Sequence, residues 1–178
     1  MVDHEISENI KRIRYNVEEA KAKYRKSDDT VRIMAVTKTV PYGRVNAAVN
    51  EGLTLLGENR VQEYLEKKDF YDPKAEVNFI GHLQSNKVKY IIDSVTMIHS
   101  VDSLKLAYEI DRYAVKAEKR MDVLIEVNIG REESKSGVFP DRLDELLCEV
   151  SEFKNIRVKG LMSIPPIGLK SFSVYSMI

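Results

Sequence analysis

Net charge is the first thing missing from this chain. Its 178 residues carry 28 Lys and Arg against 28 Asp and Glu, a formal charge of zero. Nucleic-acid binding draws on a basic face that neutralises phosphates, and anionic membranes attract basic clusters, so neither partner is expected. Cysteine is nearly absent too. Cys148 stands alone, which rules out a disulfide within the chain. It lies in Leu146-Leu147-Cys148-Glu149-Val150 and reads as a small buried core residue. No apolar run approaches the ~18 residues of a membrane span. The opening Met1-Val2-Asp3-His4-Glu5 has no basic segment followed by an apolar stretch, so no secretion signal is read there. A cytoplasmic protein in a reducing compartment is the resulting expectation.

Several glycine and histidine patterns are also missing. The eight glycines are scattered. No G-x-G-x-x-G follows the first predicted strand, as a dinucleotide site requires, and no G-x-x-x-x-G-K marks a phosphate loop. Without a G-x-S-x-G elbow a serine hydrolase is not expected. His4, His82 and His99 show no paired ligand spacing, so no metal site is expected.

What is present is an alternation of two periodicities. Ile6, Ile10, Ile13, Val17, Ala20 and Tyr24 recur every three or four residues, one stripe of an amphipathic helix. Val31 to Val40 is a short apolar run that reads as a buried strand. Pro41 suits the first turn of a helix lined by Val45, Ala48 and Val49, and Gly52 suits its end. The cycle then repeats. Strands are predicted over 53–57, 77–83, 95–100, 121–129 and 156–164, with helices between them. Strands alternating with helices imply right-handed crossovers and a parallel sheet. Lacking the nucleotide fingerprint, the pattern favours an α/β fold of the (β/α) TIM-barrel type. Six strands at about 25 residues per unit fall short of the eight of a full barrel.

In such a barrel the functional site lies at the C-terminal ends of the strands. Those ends are Lys38, Glu58-Asn59-Arg60, Gly81-His82-Leu83-Gln84, His99-Ser100, Asn128 and Ser163. Lys38 is the sharpest of them. It follows Ile33-Met34-Ala35-Val36-Thr37, so its stem is expected to pack among apolar neighbours, where burial would favour the neutral, nucleophilic amine. A snorkelling lysine at a strand end is the plainer alternative. The loop Arg131-Glu132-Glu133-Ser134-Lys135-Ser136-Gly137 places a second lysine, Lys135, beyond the fifth strand.

Six ordered segments together resemble one family. Met34-Ala35-Val36-Thr37-Lys38 resembles the strand bearing the Schiff-base lysine of the pyridoxal phosphate homeostasis proteins (the YggS/PROSC-like family). Gly57 to Glu63 is similar to its second-strand motif, and Phe79 to Lys87 to its third. His99 to Ser103 resembles the fourth. Glu126 to Ile129 with Ser134 to Gly137 resembles the fifth, and Gly160 to Pro166 the sixth. The resemblance implies a PLP-binding barrel like the N-terminal domain of alanine racemase, over residues 1–166. It implies pyridoxal 5'-phosphate as cofactor, held as an aldimine on Lys38. It places Asn59, His82, Met162 and Ser163 around the cofactor ring. It further implies a non-catalytic role in PLP homeostasis, with apo PLP-dependent enzymes as partners.

After Pro166 the sequence departs from the family pattern, which continues with a helix, a strand ending in a Ser/Gly-rich phosphate loop and a last strand with an arginine and glycines. Residues 167–178 form an atypical tail that matches none of this. The expectation is a barrel open between its first and last strands, with weak PLP retention. A PLP-dependent racemase-like enzyme is the alternative, although racemisation needs a second base on the opposite face of the substrate.

Overall fold

A computed structural model describes residues 2–25 and 30–165. Six helices and six strands alternate: α1 (Val2–Tyr24), β1 (Ala35–Val36), α2 (Tyr42–Asn50), β2 (Leu55–Glu58), α3 (Val61–Lys67), β3 (Glu76–Phe79), α4 (Val88–Ile91), β4 (Met97–Val101), α5 (Leu104–Lys116), β5 (Met121–Glu126), α6 (Leu143–Ser151) and β6 (Ile156–Met162). The strands form one sheet in chain order, and every pairing is parallel. This is the expected (β/α) barrel arrangement, with six strands among the described residues. The tail 167–178 lies outside the described residues.

The helix-facing side of the sheet is the core. Leu56, Val77, Phe79, Ile98, Val123 and Ile125 pack against Val49, Tyr64, Ile91, Ile110, Leu146 and Val150, all buried. Each such side chain contributes roughly 1.5–3 kcal/mol when fully buried. The stripes read on α5 and α6 supply this contact: Leu106, Ala107, Ile110 and Ala114, then Leu143, Leu146 and Val150. Cys148 does not join them. It is exposed, because two residues on from Leu146 is about 200° round the helix.

Three further expectations shift for physical reasons. The first strand shortens to two residues. β1 sits at the sheet edge and pairs only with β2 among the described residues, so backbone beyond Val36 has little ladder to hold it. Along α1, Ile10 is buried and Ile6 and Val17 half-buried, while Ile13, Ala20 and Tyr24 are exposed. The N-terminal half of α1 is the docked half: Ser7 Oγ donates to Glu51 Oε2 at 3.2 Å and Arg14 Nη2 to the Glu51 carbonyl at 2.8 Å. Pro41 stands just before α2 rather than within it. Gly52 does end that helix, with φ +85, a conformation open to glycine without strain.

Both edges are uncovered among the described residues. Val36 on β1 is 50% exposed, and Leu161 on β6 is 38% exposed. None of the described helices is long and apolar enough to cross a membrane.

Candidate functional site at the strand C-termini

The two faces of the sheet can be told apart at Gly57. A Cβ there would lie 2.8 Å from Met34 Sδ and 3.0 Å from Ile80 Cδ1. Met34, Gly57 and Ile80 therefore share the concave face. Alternation along a strand carries Asn59 and His82 to the same side, two residues beyond Gly57 and Ile80. Thr37 points the other way, since its hydroxyl donates to Glu58 Oε1 at 2.6 Å. Its neighbour Lys38 follows in a turn, and the Thr37 amide donating to the Gly57 carbonyl at 3.1 Å ties the start of that turn to the end of β2.

Lys38 is exposed, not packed among apolar side chains. The apolar run before it suggested burial, but an edge strand has a neighbour on one side only. Nucleophilicity through desolvation is therefore not what this geometry supplies.

Asn59 and His82 are brought together. They line a cavity of about 210 Å³ with Ile80, Gly81, Glu126, Val127, Asn128, Lys135, Ser136 and Ile164. Gly81 allows the close approach of its segment to Asn59, because a Cβ there would overlap the Asn59 backbone. Asn128 clasps the loop above the cavity. Its Nδ2 donates to the carbonyls of Glu132 (2.8 Å) and Lys135 (3.1 Å), and its Oδ1 accepts from the Glu132 amide at 3.1 Å. The loop returns at Gly137, with φ +112 and a would-be Cβ 2.6 Å from the Asn128 nitrogen, where only glycine fits.

Met162 pairs with Glu126 at the end of β6, and Ser163 Oγ donates to the Val127 carbonyl at 2.8 Å. Both are half-buried beside the cavity, whose wall on that side is Ile164. Lys38, Met162 and Ser163 are not among the residues lining the cavity. Lys38 lies across the sheet from the other two, at the opposite edge.

Glu126 is a cavity residue that sequence reasoning passed over. It is 8% exposed. Burial holds its carboxyl above the usual carboxylate range, with Asp102 adding to the effect and His82 opposing it. Its signal was a carboxylate inside an apolar strand, two residues before Asn128 and so on the same face. Near it, Ser136 Oγ and Asp102 Oδ2 approach the same ring nitrogen of His82, Nδ1, at 3.1 Å and 3.5 Å. A nucleophilic triad uses the two ring nitrogens separately, so this grouping is not one. Among the described residues no cluster of His, Cys, Asp and Glu could hold a metal ion.

Comparison with known proteins gives a consistent picture. The profile of the family described as alanine racemase, N-terminal domain, matches residues 9–168. The pyridoxal phosphate homeostasis protein of Aquifex aeolicus is 42% identical over 160 residues, which span 89% of this chain and 70% of the relative. An unknown protein from Bifidobacterium adolescentis superposes with a TM-score of 0.89 at 30% identity, over 99% of this chain and 76% of its own. PipY of Synechococcus elongatus, solved with PLP bound, does so with a TM-score of 0.79 at 28% identity, over 97% of this chain and 76% of PipY.

Proposed function

This chain belongs to the pyridoxal phosphate homeostasis family, built on the alanine racemase N-terminal domain, and from that premise we propose that it binds pyridoxal 5'-phosphate without turning over a substrate of its own. The observation that carries the reading is the placement of Lys38. An exposed primary amine stands in the turn just past the C-terminal end of β1, next to Thr37, whose amide still bonds the Gly57 carbonyl of β2. When bound, the cofactor would supply an aldehyde, and Lys38 would supply the amine that holds it.

The residues at the strand ends fit such a group. Lys38 offers the amine. Asn59 and His82 offer polar contacts past the ends of neighbouring strands, and Gly81 lets its segment close up against the Asn59 backbone. Met162 and Ser163 stand at the end of β6 beside the cavity wall formed by Ile164. Exposure of Lys38 suits a protein that takes up and hands on its ligand, with apo PLP-dependent enzymes as the receivers. An enzyme would instead need a water-excluding site.

The test is an absorbance spectrum of the purified chain titrated with PLP. Wild type should develop a visible band that borohydride removes, and Lys38→Ala should not. A reducible band of equal strength in Lys38→Ala would overturn the lysine assignment and turn attention to Lys135. Amino-acid racemisation by the purified protein would favour the racemase alternative instead.

A further inference from the structure

Buried charges hold the turn that carries Lys38. β1 contributes only Ala35 and Val36 to the ladder, opposite Leu56 and Gly57. Past them, each residue flanking Lys38 is tied to β2 or α3. Thr37 Oγ1 donates to Glu58 Oε1. Lys67 Nζ donates to the carbonyls of Thr37 at 3.0 Å and Val40 at 3.4 Å. The Thr39 amide donates to Glu63 Oε1, which also accepts from Lys67 Nζ at 2.8 Å. Lys67 Nζ lies 3.1 Å from Glu58 Oε1, and the Tyr71 hydroxyl donates to that same oxygen at 2.5 Å. Glu58 is wholly buried and Lys67 nearly so.

As a source of stability this is a poor arrangement. Desolvating two carboxylates and an ammonium offsets most of their attraction, and apolar side chains of similar volume often do as well. What the charges provide is direction. Lys67 bonds two backbone carbonyls that bracket Lys38, and Glu63 bonds the amide just after it. Thr39 is held at φ +62, a left-handed conformation that a β-branched residue does not keep unaided.

We propose that Lys67 and Glu63 are positioning residues for Lys38, a clamp that fixes its backbone so that the amine swings from a set point at the end of β1. The proposal rests on the reading of Lys38 as the PLP-binding amine. A loosened turn would spread that amine over many orientations. Apparent affinity falls in proportion to the competent fraction.

The experiment uses the full 178-residue chain and the variants Glu63→Ala, Glu63→Gln and Lys67→Met. One arm follows hydrogen exchange over 36–41 without PLP; the other titrates PLP by its borohydride-sensitive visible band. Glu63→Ala and Lys67→Met should speed exchange at Thr39 by roughly tenfold or more while β3 to β5 keep wild-type protection. They should also raise half-saturation by PLP roughly tenfold. Glu63→Gln, whose side-chain oxygen can still accept the Thr39 amide, should restore most of both. Wild-type exchange and titration in Glu63→Ala would overturn the clamp. If Lys67→Met loses protection throughout the sheet, Glu63→Ala and its Gln rescue decide alone. If wild type shows no reducible band, the PLP reading fails, and faster Thr39 exchange in Glu63→Ala still establishes the clamp by itself.

Discussion

Within the open barrel the side-chain amide nitrogen of Asn78 lies 3.0 Å from His99 Nε2, linking β3 to β4. In this orientation the amide donates and the imidazole accepts, so the ring carries its proton on Nδ1. Protonating Nε2 would set two donors against each other. Burial already holds the His99 pKa below its ordinary 6.5. The unfolded chain then binds a proton more readily than the folded one. Stability should be at its full value above pH 6.5, fall as pH drops through 6.5, and level off below the depressed folded value. Denaturant midpoints from pH 8 to pH 5 would show this, and His99→Gln should flatten the part of the slope near neutrality. An unchanged slope in that variant would remove His99 as its source.

Gly81 gives a second expectation. A Cβ at this buried position would overlap the carbonyl oxygen, carbon and Cα of Asn59. Backbone cannot step aside as a flexible side-chain end can. Gly81→Ala should therefore cost about 1–3 kcal/mol by overpacking and push Asn59 out of line with His82. Thermal unfolding reads the first effect and PLP half-saturation the second. Wild-type behaviour in both would mean that β2 and β3 can part without consequence for the cavity.

Lys135 is a second amine at the cavity, suited in principle to receive PLP from Lys38 by amine exchange. Its Nζ is engaged, however, 2.7 Å from Glu132 Oε1 and 3.5 Å from the Ile164 carbonyl. An ion pair of this half-exposed kind is worth only about 0–1 kcal/mol, so it does not lock the amine away. If Lys135 relays the ligand, Lys135→Ala should slow transfer of PLP to an apo acceptor enzyme severalfold with little effect on stability. Equal transfer rates would leave it a loop-ordering residue.

How much of this could be read from the residues differs by level. Strand and helix alternation was legible because core contacts need regular spacing: Leu106, Ala107, Ile110 and Ala114 repeat with the helix, and they are buried. The open edges followed from the strand count, but their effect on Lys38 did not: Val31 to Val40 looks like any buried strand, whereas Lys38 is exposed. Cys148 failed for a local reason, since its apolar neighbours are on the helix face it does not share. The charged network around the Lys38 turn was half visible. Glu63 and Lys67 have the i,i+4 spacing of an ordinary surface pair. That they reach a buried Glu58 and the carbonyls of another segment is a long-range fact, which no local pattern carries.

The last expectation concerns how firmly the 178-residue chain keeps its ligand. Lys38 is exposed, and the edge beyond β1 is uncovered among the described residues, with Val36 50% exposed beside it. A group held covalently at Lys38 would be open to water from that side, and water would favour its release. The cavity wall offers Asn59, Asn128 and Ser136 as uncharged polar contacts, and its one lysine, Lys135, is paired with Glu132. PLP should therefore bind when supplied in excess and leave on dialysis, with exchange far faster than in a closed barrel. The check is the visible band before and after exhaustive dialysis, with protein concentration and association state measured alongside by light scattering. Stoichiometric PLP surviving dialysis of a monodisperse preparation would overturn this. It would require the side of β1 away from β2 to be covered and the phosphate to be gripped by groups outside the cavity wall described above.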